Sequence, residues 1–158
     1  MIAAIIQARV SSSRLPEKVL KPLLGVPMLC RQIERMRNAR TIDEIVVATS
    51  VHESDDAIAA CCQDIAIRSV RGSLNDVLER YFAASAEVNA DVIVHLTGDC
   101  PLSDAGVVDA LVDKYLGGGF DYVSNTLKPT YPDGLDAEVF SREALETAYR
   151  EATLPSER

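Results

Sequence analysis

The sequence predicts an α/β fold in which a mostly parallel sheet lies between layers of helix, and three observations predict it. Short, continuous apolar runs such as Ile2–Gln7 have no polar face, as expected for strands covered on both sides. They alternate with stretches whose apolar residues recur at helical spacing, three times within the first 70 residues, which implies right-handed crossovers between parallel strands. The chain has 158 residues and 47% apolar content, enough to bury one sizeable core as one domain.

Residues 2–7 form the first strand. A helix is expected after Gly25, with Pro27 in its first turn, Leu29, Ile33 and Met36 inward, and Arg31, Glu34, Arg35 and Arg37 outward. Residues 44–49 are β-branched and uninterrupted, the second strand. Ser54 then reads as an N-cap, with Asp55 and Asp56 in the first turn of a helix through Ala57, Ile58 and Cys61. Residues 65–70 are the third strand.

Ser73 and Asp76 form an S-x-x-D pair resembling a capping box, ahead of a helix whose stripe is Val77, Leu78, Tyr81, Phe82, Ala84 and Val88. Ser73 is read either as a cap alone or as a cap that also touches a ligand, because a helix N-terminus suits anions. Arg80 on that helix is expected to face solvent. Residues 91–96 form the fourth strand and deliver Thr97, Gly98, Asp99, Cys100 and Pro101 to the carboxyl edge of the sheet, where open α/β sheets bind ligands.

Residues 104–116 follow as a helix with Val107, Val108, Leu111, Val112 and Tyr115 inward, stopped by Gly117, Gly118 and Gly119. Residues 120–123 are expected to be a strand. Residues 131–140 begin as a Pro-Asp-Gly turn and end as a short strand, and Ser141 caps a last helix with Leu145 and Ala148 inward.

The net charge is −8, which argues against a nucleic-acid surface. The charge is uneven: residues 7–21 hold Arg9, Arg14, Lys18 and Lys21 against Glu17, a net of +3, while the other 143 residues carry −11. A local cation cluster on an acidic protein points to an anionic ligand. Two guanidinium forks, movable ammonium groups, three serines and backbone N–H groups suit a polyphosphate.

No apolar run approaches a membrane span, and residues 1–6 lack the basic region of a signal peptide, so a cytoplasmic protein with no membrane partner is expected. Cys30, Cys61, Cys62 and Cys100 show neither zinc nor ordinary disulfide spacing and read as small core residues in a reducing compartment. Cys100 has no base beside it. His95 reads as a satisfied, half-buried histidine, and His52 lies in a turn without a visible partner. Neither the G-x-x-x-x-G-K-[ST] nor the G-x-G-x-x-G phosphate motif is present.

A first strand followed by Ala8-Arg9, Ser12, Arg14-Leu15-Pro16 and Lys18 resembles the signature of the sugar nucleotidyltransferases, and most closely the cytidylyltransferases. Further segments resemble their SpsF-like branch, related to the CMP-Kdo and acylneuraminate cytidylyltransferases. These are residues 18–27, 47–50, 71–73 with 76–81, and Leu96 to Leu102. The resemblance covers the whole chain and implies a Rossmann-like nucleotidyltransferase, a three-layer α/β/α fold.

The resemblance implies an enzyme that transfers CMP from CTP to a sugar acid or related sugar and releases pyrophosphate, in surface or spore-coat polysaccharide synthesis. Arg9, Arg14 and Lys18 would hold the leaving phosphates, while Ser12 and the backbone of Ala8 and Arg9 would line the loop. Arg71, Gly72 and Ser73 would line the nucleotide pocket. Asp99 would bind Mg2+, and Asp136, favoured over Glu138, would supply a second carboxylate. The family continues past this point with substrate-site and dimer-forming residues, so residues 1–158 read as one domain lacking a C-terminal segment, with room for a homodimer. A glycosyltransferase of similar fold and a non-catalytic nucleotide-binding module remain as alternatives. The first is disfavoured because Asp99-Cys100-Pro101 lacks the second acid of a D-x-D motif.

Overall fold

The structure, a computed structural model, describes residues 1–11, 15–129 and 131–158. In chain order it contains β1 (Ile2–Gln7), a small hairpin of β2 (Pro22–Leu23) and β3 (Val26–Pro27), α1 (Met28–Met36), β4 (Glu44–Ser50), α2 (Asp56–Asp64) and β5 (Arg68–Gly72). Then come α3 (Val77–Glu87), β6 (Val92–Thr97), α4 (Ala105–Leu116), β7 (Tyr122–Ser124), β8 (Glu138–Ser141) and α5 (Arg142–Glu151). The six-stranded sheet has the order β5-β4-β1-β6-β8-β7. β1 is parallel to both its neighbours, β4 and β6, whereas β8 and β7 extend the sheet antiparallel.

Alternate side chains of the central strands feed two cores, as a three-layer architecture requires. Ala4 and Ile6 of β1, Val47 of β4 and Val94 and Leu96 of β6 pack against Leu29, Ile33, Ile58, Val108 and Val112 of α1, α2 and α4. Ala3 and Ile5, with Val46, Ala48 and Ile93, face Tyr81 and Ala84 of α3 and Leu145 of α5. Ala3 through Ile6 are 0% exposed, which is why β1 reads as an apolar run rather than as an alternation.

Several elements depart from the sequence reading. The third strand is Arg68–Gly72, not residues 65–70, because Ala66 adopts a left-handed conformation (φ 54) and the Ile67 N–H caps the Cys62 carbonyl of α2 at 2.9 Å. The strand near residue 120 is likewise Tyr122–Ser124, following left-handed Gly118 and Gly119. Pro27 sits at the N-cap of α1, one residue ahead of the first turn. Ser54 is not a cap; the His52 ring accepts the Ser54 N–H instead.

Asp76, not Ser73, caps α3 by accepting the Glu79 N–H at 2.8 Å. Arg80 is 1% exposed rather than solvent-facing. Cys30 of α1 and Cys61 of α2 are free thiols with Sγ atoms 2.6 Å apart, and burial, reinforced by Cys61, pushes the Cys30 thiol up to about 12.

Asp55 anchors the carboxyl edge. It is 0% exposed, its carboxylate accepts the Val10 N–H at 2.7 Å and the Ser50 N–H at 3.2 Å, and it also takes the Ser50 hydroxyl. The turn after β1 is thereby fastened to the end of β4. Asp55→Ala strands three donors, and a loss of about 2–4 kcal/mol is expected in denaturant unfolding. Unchanged stability would show that the clamp is redundant.

Candidate active site at the carboxyl edge

The chain leaves β1 to build the sheet first on one side, through β4 and β5, and then on the other, through β6. A crevice opens where that order reverses, beyond the carboxyl ends of β1 and β6. The backbone is drawn tight there: the Ala8 N–H donates to the Ala48 carbonyl at 3.0 Å and the Gly98 N–H to the Gln7 carbonyl at 2.8 Å. A side chain at Gly98 would stand 2.9 Å from both the Gln7 oxygen and the Ala8 Cβ, so the approach of the two loops requires glycine.

The turn after β1 is closed by the Glu17 N–H donating to the Val10 carbonyl at 3.2 Å, with Glu17 itself left-handed (φ 57). Lys18 follows, and its Nζ donates to Asp99 Oδ2 at 2.5 Å, joining the turn after β1 to the turn after β6. Ala8 is buried and supplies backbone, while Arg9 is exposed at the mouth of the turn. Ser12 and Arg14 lie outside the described residues.

Burial works to raise the Asp99 carboxyl, but hydrogen bonds from Lys18 and Thr97 outweigh it and hold the group below the ordinary carboxylate range. Asp99 is therefore a carboxylate paired with the Lys18 ammonium. The Cys100 thiol is pushed up by burial, with Asp99 and Asp136 adding to the effect, so it is no thiolate nucleophile.

Asp136 is exposed and lies two residues ahead of β8. His95 and Glu138 are the last pair of the antiparallel β6–β8 ladder, so the segment holding Asp136 enters at the carboxyl edge, close enough to Cys100 to act on its thiol. Glu138 is committed elsewhere. Its carboxylate meets His95 Nδ1 at 2.6 Å, a contact that holds the acid below its ordinary range. His95 also rests edge-on against Tyr81, the satisfied histidine expected from sequence.

Arg71, Gly72 and Ser73 end β5 at the opposite wall. The Arg71 guanidinium is tied to the Ser50 carbonyl at 2.8 Å, the His52 carbonyl at 3.0 Å and Asp56 at 2.7 Å, so its side chain shapes the β4 turn. Gly72 lets Glu79 and Arg80 of α3 pack against the strand, where a Cβ would collide with the Glu79 carboxylate and lie 3.1 Å from Arg80 Cγ. The Ser73 N–H is held by Glu79 at 2.8 Å.

Sequence reasoning missed Asp55 and Arg80. Arg80 Nη1 donates to the carbonyls of Ser73 and Leu74, while its Nε and Nη2 are buried and have no partner among the described residues. The only signal for Arg80 was Gly72, whose missing Cβ makes its room.

Two acids flanking one crevice, with a basic turn beside them, match what Mg2+ accepts: one or two carboxylates, completed by water and phosphate oxygens. Among the described residues no three acid, histidine or cysteine side chains form a cage of their own.

The family described as cytidylyltransferase matches residues 3–156 of this chain. An uncharacterized protein of Methanocaldococcus jannaschii is 40% identical over 151 residues, which are 96% of this chain and 61% of that protein. The spore coat polysaccharide biosynthesis protein SpsF of Bacillus subtilis is 36% identical over 163 residues, covering 95% of this chain and 67% of that one. Among solved structures, a cytidylyltransferase from Leptospira borgpetersenii superposes with a TM-score of 0.95 at 34% identity, covering 99% of this chain and 67% of the other. The chain thus spans 61% and 67% of the lengths of these two curated relatives.

Two outcomes follow from this geometry. Gly98→Ala forces the β1 and β6 turns apart, and calorimetry should find it about 1–3 kcal/mol less stable, as overpacking against backbone does. Because the Asp99 carboxyl is lowered by folding, its stabilisation is present above the ordinary aspartate value and is lost as pH falls through the folded value. Wild type should therefore exceed Asp99→Asn in thermal stability at pH 7, and the gap should close below about pH 3.9. A gap that persists at pH 2 would show the Lys18 contact to be immaterial.

Proposed function

The chain belongs to the cytidylyltransferase family, and from that premise we propose that it transfers CMP from CTP to a hydroxyl of a sugar acid or related sugar, releasing pyrophosphate, with Mg2+ as cofactor. The observation that carries this reading is the Lys18–Asp99 contact at 2.5 Å, which sets a phosphate-seeking cation and a metal-seeking carboxylate side by side at the switch point of the sheet. The name of the Bacillus relative supports a place in surface or spore-coat polysaccharide synthesis.

In this reaction the sugar oxygen attacks the α-phosphorus in line. The new O–P bond forms as the bond to the bridging oxygen of pyrophosphate breaks, and the hydroxyl proton is released to solvent. Little covalent work falls to the protein, so positioning and charge neutralisation dominate. Arg9, Arg14 and Lys18 hold the β- and γ-phosphates and offset the charge growing on the leaving group. Backbone at Ala8 and Arg9, with Ser12, lines their loop, and the ends of β4 and β5, through Arg71, Gly72 and Ser73, bound the nucleoside.

Asp99 and Asp136 are the residues that would hold Mg2+. When bound, the ion neutralises phosphate charge and orients the α-phosphate. Lys18, beside Asp99 on the turn after β1, would meet the phosphates next to the ion.

Pyrophosphate release from CTP with a panel of sugar acids and neutral sugars tests the reading. Lys18→Ala and Asp99→Asn are each expected to lower turnover at least ~10²-fold while circular dichroism remains unchanged. Wild-type turnover in both variants would remove the site assignment. Turnover of a preformed nucleotide-sugar in place of CTP would establish a glycosyltransferase.

A further inference from the structure

Gln32 interrupts the buried face of α1. Its neighbours on that face are Leu29, Cys30, Ile33 and Met36, yet Gln32 is 0% exposed like them. Its Nε2 donates to the Thr97 carbonyl at 2.8 Å and to Ser103 Oγ at 3.2 Å, while its Oε1 is buried with no partner among the described residues. An unmatched buried acceptor is costly, and an apolar side chain of the same length would avoid that cost. The packing of α1 therefore does not account for a glutamine here, whereas the groups its donor end holds do.

Thr97 and Ser103 are the two feet of the turn after β6, the turn that presents Asp99, and one amide clasps both. From Ser103 the contact continues inward. Ser103 Oγ donates to the Cys100 carbonyl at 2.7 Å, and the Ser103 N–H donates to the same oxygen at 3.0 Å. Gln32 thus reaches the residue directly after Asp99 through a single hydroxyl. Near the end of α1, Arg35 Nε donates to the Ser103 carbonyl at 2.8 Å, and its guanidinium lies 3.6 Å from Asp104, the cap of α4. On the other side of Asp99, the Gly98 N–H is fixed to the Gln7 carbonyl at 2.8 Å. Asp99 is set between two anchored peptide groups, one tied to β1 and the other to α1, and linked hydrogen bonds of this kind reinforce one another.

Resting on the reading of Asp99 as a metal ligand, we propose that Gln32 is a positioning residue for that carboxylate: it clasps the feet of the β6 turn and, through Ser103, holds Asp99 in place for a divalent cation. Being fully buried, Gln32 acts through the turn and not by contact with ion or nucleotide. Groups that orient a ligand from behind govern metal affinity by about 10–100-fold.

The test measures Mn2+ binding in the presence of CTP by electron paramagnetic resonance, and CTP binding without metal by calorimetry. The proteins compared are the wild type, Asp99→Asn, Gln32→Met, Ser103→Ala and the double variant of the last two. Mn2+ takes the same oxygen donors as Mg2+ and is observed directly, without turnover. Gln32→Met keeps the length of the side chain and removes its donor. It is expected to raise the Mn2+ dissociation constant at least about 10-fold. Ser103→Ala should raise it about 3–10-fold, the scale of one neutral hydrogen bond. Metal-free CTP binding should stay within about threefold of wild type in both. The double variant should bind Mn2+ within about twofold of Gln32→Met, because the two side chains act along one chain of hydrogen bonds.

Wild-type Mn2+ affinity in Gln32→Met would overturn the assignment. Equal weakening of Mn2+ and metal-free CTP binding would also overturn it, by reducing Gln32 to a structural role. If Gln32→Met fails to fold, Ser103→Ala decides by the same two constants. Mn2+ binding that Asp99→Asn leaves unchanged would sink the metal reading and this inference with it. Loss of Mn2+ in Asp99→Asn with none in Gln32→Met would sink this inference alone.

Discussion

The seating of Gly98 against Gln7 and Ala8 is the contact on which the carboxyl edge depends. β1 has no free edge and no free face, because Ala3 through Ile6 are fully buried and parallel strands flank both sides. Its last residues therefore cannot shift to make room, and whatever leaves β6 must fit against them. A side-chain-free residue meets that demand and brings Asp99 alongside the turn that carries Lys18. Asp55 completes the same fixation from the β4 side, using a buried carboxylate where water would otherwise satisfy the Val10 and Ser50 N–H groups.

The way cations are held follows a consistent logic. Arg71 and Arg80 are fastened mainly by backbone carbonyls, those of Ser50, His52, Ser73 and Leu74. A carbonyl orients a guanidinium without cancelling its charge. Lys18 is held by a carboxylate instead, and that acid is the one we propose as a metal ligand. Acids elsewhere on the protein are screened beyond about 10 Å, so the charge of the crevice is set by the cations and the few carboxylates paired with them there, Asp99 and Asp56.

Most of the architecture was legible because it rests on local pattern: apolar runs, helical stripes, the glycine stop after α4 and the cap at Ser141 all appear where their chemistry requires, while Asp104, read as the first helical residue, caps α4 instead. The failures have a common cause in contacts between residues far apart in sequence. Asp55 reads locally as an acid in a helix's first turn, yet its carboxylate reaches Val10, 45 residues away. Arg80 reads as a solvated charge because buried arginines are rare, and only the space left by Gly72 on the neighbouring strand admits it. The third strand was displaced because Ile65 and Ile67 are apolar as partly buried members of the core on the α1, α2 and α4 face, ahead of the strand itself. Motif spacing located Asp99 and Lys18 at one edge, but only the fold shows them in contact.

The antiparallel direction of β8 explains how a second acid arrives at an edge built from parallel strands. A parallel strand would bring its end to the carboxyl edge, whereas β8 brings its beginning, so the residues just before it, Asp136 among them, enter at that edge. The His95–Glu138 contact, packed edge-on against Tyr81, fixes the register of β6 and β8 from within the sheet. The Glu138 carboxylate, held below its ordinary range by His95, is thus a structural partner within the sheet, which leaves Asp136 as the acid of this segment that is exposed at the edge.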